Sequence, residues 1–225
     1  MHKAAKEVHY EFKPGTEHIV VADSTLPPRV GIYSGSFDPV HAGHVSFALQ
    51  AQKVAGLEHI FFMPERRPKT NLEAEHYTHR AAMIDRALRP YEQFSLLDLP
   101  DARLTLQSLP RLRQALPKNA QLNLLVGAEE VLSHSAHALP KLYEKVTLVI
   151  AVTSNDQLAD VLEHINTSPS HFRNLLFIDV GHKRISSAVV RKSLRSGQYV
   201  RGILPSVWKY ARHQWLYISL SNHNS

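Results

Sequence analysis

Gly35-Ser36-Phe37-Asp38-Pro39-Val40-His41-Ala42-Gly43-His44 joins a short apolar run, Arg29-Val30-Gly31-Ile32-Tyr33, to a helix-like run, Val45-Ser46-Phe47-Ala48-Leu49-Gln50-Ala51-Gln52. Small residues stand where a strand must turn into a helix, and His41 and His44 stand at the helix entrance. Backbone N–H groups at such a turn point outward, and the helix N-terminus carries partial positive charge. The stretch therefore reads as a phosphate site with two imidazoles added. Taken apart, the pieces are less telling. Asp38 and Pro39 alone would suit an ordinary turn, and two histidines three apart would suit half a metal site. Their union behind a buried-looking strand is what points to phosphate chemistry.

Outward from this stretch, apolar runs and helical periods alternate. Strands are expected at about Val30–Ser34, His59–Met63, Phe94–Leu97, Leu122–Val126, Val146–Val152 and Leu175–Val180. Helices are expected at about Gly43–Val54, Tyr77–Leu88, Leu106–Leu116, from Gly127 through about His134, Asn155–Ile165, Ser187–Arg195 and Pro205–Arg212. Pro110 must lie in the first turn of its helix or kink it. The strands are rich in Val, Ile, Leu and Phe without alternation. That pattern predicts an α/β fold: a Rossmann-like parallel sheet with helices on both faces. Ligands of such sheets bind beyond the carboxyl ends of the strands, near a topological switch.

Residues 1–28 read as an N-terminal extension, with one β-like run at His18–Ala22 and an extended Leu26-Pro27-Pro28 connector. Residues 29–225 read as the main domain, including the C-terminal helices. Hydrophobic residues make up 44% of the 225, and no apolar run approaches the ~20 residues of a membrane span. No secretory signal is apparent and Cys is absent, so disulfide and thiolate chemistry are excluded and the cytoplasm is expected.

The net charge of +6 suits polyanions. The cations gather in short clusters at Arg66-Arg67-Pro68-Lys69, Lys183-Arg184 and Arg191-Lys192-Ser193-Leu194-Arg195. Such spacing fits the phosphates of a small ligand better than a duplex track. No aromatic and basic interleaving supports a nucleic-acid platform.

Arg184-Ile185-Ser186-Ser187-Ala188-Val189-Val190-Arg191 follows the last strand. Ser186 or Ser187 is a good N-cap, and Arg191 lies about one turn further on. Hydroxyls, free N–H groups and a guanidinium thus converge on a second anion site.

The two motifs together resemble the nucleotidylyltransferase superfamily with the His-x-Gly-His signature. Within it, the chain is similar to bacterial nicotinate (nicotinamide) mononucleotide adenylyltransferases over about Val30 to Tyr217. Smaller correspondences are Thr78-His79-Arg80-Ala81-Ala82-Met83, Arg103-Leu104-Thr105-Leu106-Gln107-Ser108-Leu109, Gly127-Ala128-Glu129, and Leu204-Pro205 with Tyr210 through Tyr217.

The resemblance implies joining of ATP to the mononucleotide, giving the dinucleotide and diphosphate in NAD biosynthesis. It implies that Gly35, Ser36 and Phe37 hold phosphates through their backbone, with His41, His44 and Arg191 as the catalytic groups. Ser186 and Ser187 would receive the β- and γ-phosphates and Glu129 the ribose. Lys69, Arg80, Thr105 and His137 would face the acceptor. For Arg80 the alternative is to brace the loop, and for His137 to be a plain surface residue. Mg²⁺ would arrive with ATP, since the sequence offers no dedicated carboxylate cage.

Several residues depart from the family pattern. Leu104 replaces a tyrosine, Glu129 an aspartate, and His137 stands near a stacking tryptophan's place. Arg66-Arg67-Pro68-Lys69 lacks a histidine, and Thr153-Ser154 lacks an arginine. Most of these fall on the mononucleotide side. Two alternatives therefore stand: a relative using another phosphorylated acceptor, or a catalytically silent nucleotide-binding module. Self-association is left open, and neither a membrane nor nucleic acid is expected as a partner.

Overall fold

The computed structural model describes residues 28–68, 71, 73–101, 103–181 and 185–218. The expected strand at His18–Ala22, most of the N-terminal extension, Lys69 and the Lys183-Arg184 pair lie outside the described residues.

The chain runs β1 (Arg29–Gly35), α1 (Ala42–Ala55), β2 (His59–Pro64), α2 (Tyr77–Leu88), β3 (Phe94–Leu96), α3 (Leu109–Gln114), β4 (Gln121–Gly127), α4 (Ala128–Leu132), β5 (Thr147–Val152), α5 (Asn155–Asn166), β6 (Asn174–Asp179), α6 (Ser187–Ser196) and α7 (Pro205–His213). The six strands form one sheet in the order β3-β2-β1-β4-β5-β6. All pairings are parallel, with Tyr33 opposite Phe62 on one side and Leu125 on the other.

The continuous apolar strands are explained by two cores, one on each face of the sheet. Ile60, Phe62, Leu125, Val149 and Ile178 point to a layer built from Phe47 of α1, Met83 and Ile84 of α2, Val190 and Leu194 of α6, and Val207 and Ala211 of α7. Ile32, Phe61, Met63, Leu124, Val126 and Ile150 point the other way, onto Leu112 of α3, Val131 of α4 and Val161 and Ile165 of α5. Burying each of the larger side chains contributes about 1.5–3 kcal/mol relative to exposure. Gly31 in β1 is a packing requirement: a Cβ there would lie 2.9 Å from Leu57 Cδ1 and 3.0 Å from Ile60 Cγ1 and Leu125 Cδ1.

Two elements differ from the sequence reading. The helix expected at Leu106–Leu116 is confined to Leu109–Gln114, with Pro110 in its first turn. Thr105 and Ser108 hydrogen-bond each other into a turn that occupies the missing start. The helix expected to reach about His134 stops at Leu132. Beyond it the chain forms two 3₁₀ turns, Ala136–Ala138 and Lys141–Lys145, with Pro140 between them. No helix among the described residues is long and apolar enough to cross a membrane.

Candidate active site

In this strand order the chain reverses direction across the sheet between β1 and β4, which opens a crevice at their carboxyl ends. The loop that leaves β1 is Ser36–His41, and it is rigidly held. Phe37 has φ 45° and is 2% exposed. A bulky residue adopts that conformation only where packing over-determines it. Here its ring meets Tyr33 edge-on at 5.1 Å, His44 at 5.0 Å and Phe62 at 5.5 Å.

The two histidines begin α1. His41 is the N-cap, and its Nδ1 accepts the Gly43 N–H at 3.2 Å. The His41 N–H in turn donates to His44 Nδ1 at 3.1 Å, closing a reciprocal capping box. The ring centroids are 3.8 Å apart. Gly43 is what permits this: a Cβ there would sit 3.0 Å from two atoms of the His41 ring. Because Nδ1 of each ring accepts a backbone N–H, the ring hydrogen is assigned to Nε2 on both. Each imidazole thus carries a donor edge at a helix N-terminus.

The second motif meets the first directly. Ser186 caps α6 by accepting the Val189 N–H at 3.3 Å. Ser187 Oγ donates to the Pro39 carbonyl at 3.0 Å, and Arg191 Nη1 donates to the Asp38 carbonyl at 2.6 Å. The chain before α7 is tied in as well, through Ala42 N–H to the Gly202 carbonyl at 3.0 Å. The imidazoles, the Ser187 hydroxyl and the Arg191 guanidinium therefore share one loop at the switch point.

Asp38 is 1% exposed. Its Oδ1 accepts the Tyr217 hydroxyl at 2.6 Å and the Glu75 N–H at 3.1 Å, and its Oδ2 accepts Asn71 Nδ2 at 2.7 Å with Arg191 Nη1 at 3.6 Å. A desolvated carboxylate requires such partners. Burial and then Asp38 hold the Tyr217 phenol well above its ordinary range, so it is the donor in this pair. Arg80 is also 1% exposed and donates to three carbonyls: Ser36 at 2.6 Å, Glu65 at 2.6 Å and Glu75 at 2.8 Å. Of the two roles open for Arg80, these are bracing contacts.

The remaining expected residues stand on separate segments of the chain. Gly127 ends β4, and a Cβ on it would meet no atom within 4 Å. Glu129 follows in the first turn of α4, exposed. Burial, and after it the Glu129 charge, raises the Tyr33 phenol above its ordinary range. Thr105 and His137 stand apart from the cluster. Thr105 is paired with Ser108 ahead of α3, and His137 is exposed in a 3₁₀ turn. Arg66 is bound to Asp98 at 2.5 Å and to the Leu99 carbonyl at 2.8 Å, with its guanidinium 4.2 Å from the Tyr77 ring centroid.

Sequence reasoning missed Glu65, Asn71, Glu75 and Tyr217. Glu65 lies just past β2, and burial followed by the Glu130 charge pushes its carboxyl up to about 7, against Arg103 and Arg80. Its place at a strand's carboxyl end was the available signal. Tyr217 ends the C-terminal stretch that resembles the family, which marked the segment but not this side chain's partner; Asn71 and Glu75 are single polar residues in loops and carry no signal.

A parallel sheet whose β1–α1 loop carries the two histidines at its switch point, with a serine-capped arginine helix docked against that loop, defines an α/β protein of the nucleotidylyltransferase class. More particularly, the chain belongs to the Cytidylyltransferase-like family, whose profile matches residues 32–193. It is 29% identical over 204 residues to the nicotinate-nucleotide adenylyltransferase of Bacillus subtilis (strain 168), covering 85% of this chain and 99% of that one. It is 27% identical over 202 residues to a probable nicotinate-nucleotide adenylyltransferase of Dehalococcoides mccartyi (strain ATCC BAA-2266 / KCTC 15142 / 195), covering 84% and 97%. In fold it is similar to the Plasmodium falciparum nicotinic acid mononucleotide adenylyltransferase complexed with NaAD. That structure has a TM-score of 0.67 at 18% identity, covering 84% of this chain and 97% of that chain.

Proposed function

We propose that this chain is an adenylyltransferase of NAD biosynthesis, joining ATP to nicotinate or nicotinamide mononucleotide and releasing diphosphate. The observation that carries the reading is the meeting of His41, His44, Ser187 and Arg191 on one loop at the sheet's switch point. The names of the relatives support the choice of substrates.

A phosphate oxygen of the mononucleotide attacks the α-phosphorus of ATP. The new P–O bond forms as the bond to the β-phosphate oxygen breaks in line with it. A phosphate monoester is already an adequate nucleophile near neutral pH, so no general base and no covalent intermediate are required. The chain's task is to align two anions and to stabilise the charge gathering on the α-phosphate and the leaving group.

Backbone N–H groups of Gly35, Ser36 and Phe37 hold the phosphates. The Nε2–H edges of His41 and His44 donate to the triphosphate, and His44 serves the transition state. The Ser186 hydroxyl, the Ser187 backbone N–H and the remaining N–H groups of Arg191 take the β- and γ-phosphates. Glu129, reaching from α4, accepts the ribose hydroxyls. Lys69, Thr105 and His137 belong to the acceptor side. Arg80 serves it indirectly, by holding Ser36 and Glu65 in place. Mg²⁺ enters as part of the MgATP substrate.

Incubation with MgATP and a panel of phosphorylated acceptors, following diphosphate release, tests the reading. Release is expected with nicotinate or nicotinamide mononucleotide. Release only with phosphopantetheine or a polyol phosphate would assign a sister reaction. ATP binding without release for any acceptor would leave a silent nucleotide-binding module.

A further inference from the structure

We infer that Tyr217 is a positioning residue for the triphosphate, acting through Asp38 on Arg191, so that the segment after α7 sets the grip on ATP. The inference rests on the proposed ATP site but assigns a residue outside both motifs.

After α7 the chain folds back. Trp215 N–H donates to the Arg212 carbonyl at 3.3 Å, and Leu216 N–H to the Ala211 carbonyl at 2.9 Å. Tyr217 follows with φ 63°, a conformation that disfavours a bulky side chain. Both of its donors are taken by the site. Its N–H reaches Glu75 Oε1 at 3.1 Å, and its hydroxyl reaches Asp38 Oδ1 at 2.6 Å. Glu75 is held from the other side by Arg80, and its own N–H also binds Asp38 Oδ1. Strained backbone is kept where the surroundings over-determine it, and functional sites are where such strain collects.

The route to ATP is short. With Oδ1 occupied by Tyr217 and Glu75, the Asp38 carboxylate is turned so that Oδ2 faces Asn71 and Arg191. Arg191 then donates to the Asp38 carbonyl and is fixed against the phosphate loop. Without the phenol hydroxyl, Oδ1 of a buried carboxylate loses its shortest partner. Asp38 then gains by turning toward Arg191 and drawing the guanidinium away from the phosphates.

Tyr217→Phe keeps the ring and removes only the hydroxyl. The expected result is a KM for ATP raised about tenfold, in the range of one hydrogen bond to a charged group. The KM for the mononucleotide should be unchanged, and the melting temperature should fall by roughly 3–12 °C, as for one charge-assisted bond lost from a buried carboxylate. In an Asp38→Asn background the same change should alter ATP affinity by less than about twofold, because coupled residues are not additive.

Calorimetric binding of a methylene-bridged ATP analogue, with no acceptor present, reads the same grip independently of turnover. Tenfold weaker binding by Tyr217→Phe supports the inference even if the acceptor panel fails. Equal binding, or loss of melting temperature with an unchanged KM for ATP, overturns it. Full additivity with Asp38→Asn overturns the route through Asp38.

Discussion

Arg80→Lys tests whether the loop after β1 is held by a single buried guanidinium. The wild-type side chain is 1% exposed and donates to three carbonyls, those of Ser36, Glu65 and Glu75, at 2.6, 2.6 and 2.8 Å. A lysine ammonium is a compact point charge without the planar fork, and from the same Cα it can satisfy one of these carbonyls well. Two charge-assisted bonds are then lost, each contributing about 1.5–3 kcal/mol. Relaxation returns part of this, and a net loss of about 3 kcal/mol is expected. For a chain of this size that lowers the melting temperature by roughly 6–12 °C. The released Ser36 carbonyl lets the loop shift, and misplacement of about 1 Å near reacting groups can lower turnover on the order of a hundredfold. Thermal unfolding and steady-state kinetics with both substrates measure the two effects. A melting temperature within about 2 °C of wild type, joined to a raised KM for the mononucleotide alone, would refute the bracing role and return Arg80 to the acceptor.

His44→Ala should lower kcat by about a hundredfold, as for other lost transition-state donors. It should also cost about 1 kcal/mol of stability, because the His41 N–H loses its cap. An unchanged kcat in folded protein would remove His44 from the reaction. The Glu65 carboxyl is raised by burial from 4.5 to about 7, so between those values the folded chain retains a proton that the unfolded chain has released. Stability contributed by this group is therefore complete at low pH and is lost as pH rises through that window. Glu65→Gln should melt higher than wild type at pH 8 and alike near pH 4.5; parallel profiles would contradict the shift. Gly31→Ala should destabilise by about 1–3 kcal/mol through overpacking against Leu57, Ile60 and Leu125. Both KM values should stay unchanged, and an unaltered melting temperature would show that those three side chains can give way.

How much was legible in the sequence depended on how local the cause was. The span Tyr77–Leu88 is helical as its periodicity predicts, and Gly56 closes α1 in the left-handed conformation expected of a helix-ending glycine. The His41 cap, the Ser186 cap and the room left by Gly43 depend on neighbours within a few positions, so motif spacing carries them. The strand order has no such signature, because it depends on which buried strands pair across the whole chain. The Asp38 partners were invisible for the same reason: Asn71, Glu75 and Tyr217 lie 33, 37 and 179 positions away. Charge clustering was a weaker guide than spacing. Arg66 sits in a basic cluster read as phosphate-facing, yet it is spent on Asp98, the Leu99 carbonyl and the Tyr77 ring.

The bond from the Tyr217 phenol to Asp38 also sets an order of assembly during synthesis. A ribosome that has released β1 through β6 has exposed every strand of the sheet, yet Asp38 still lacks its donor from 179 positions downstream. Domains emerge and fold from the N-terminal side. A chain that stops between α7 and Tyr217 would keep all six strands and both core layers, yet the Asp38 carboxylate would lack its phenol partner and the proposed grip on ATP would be weaker.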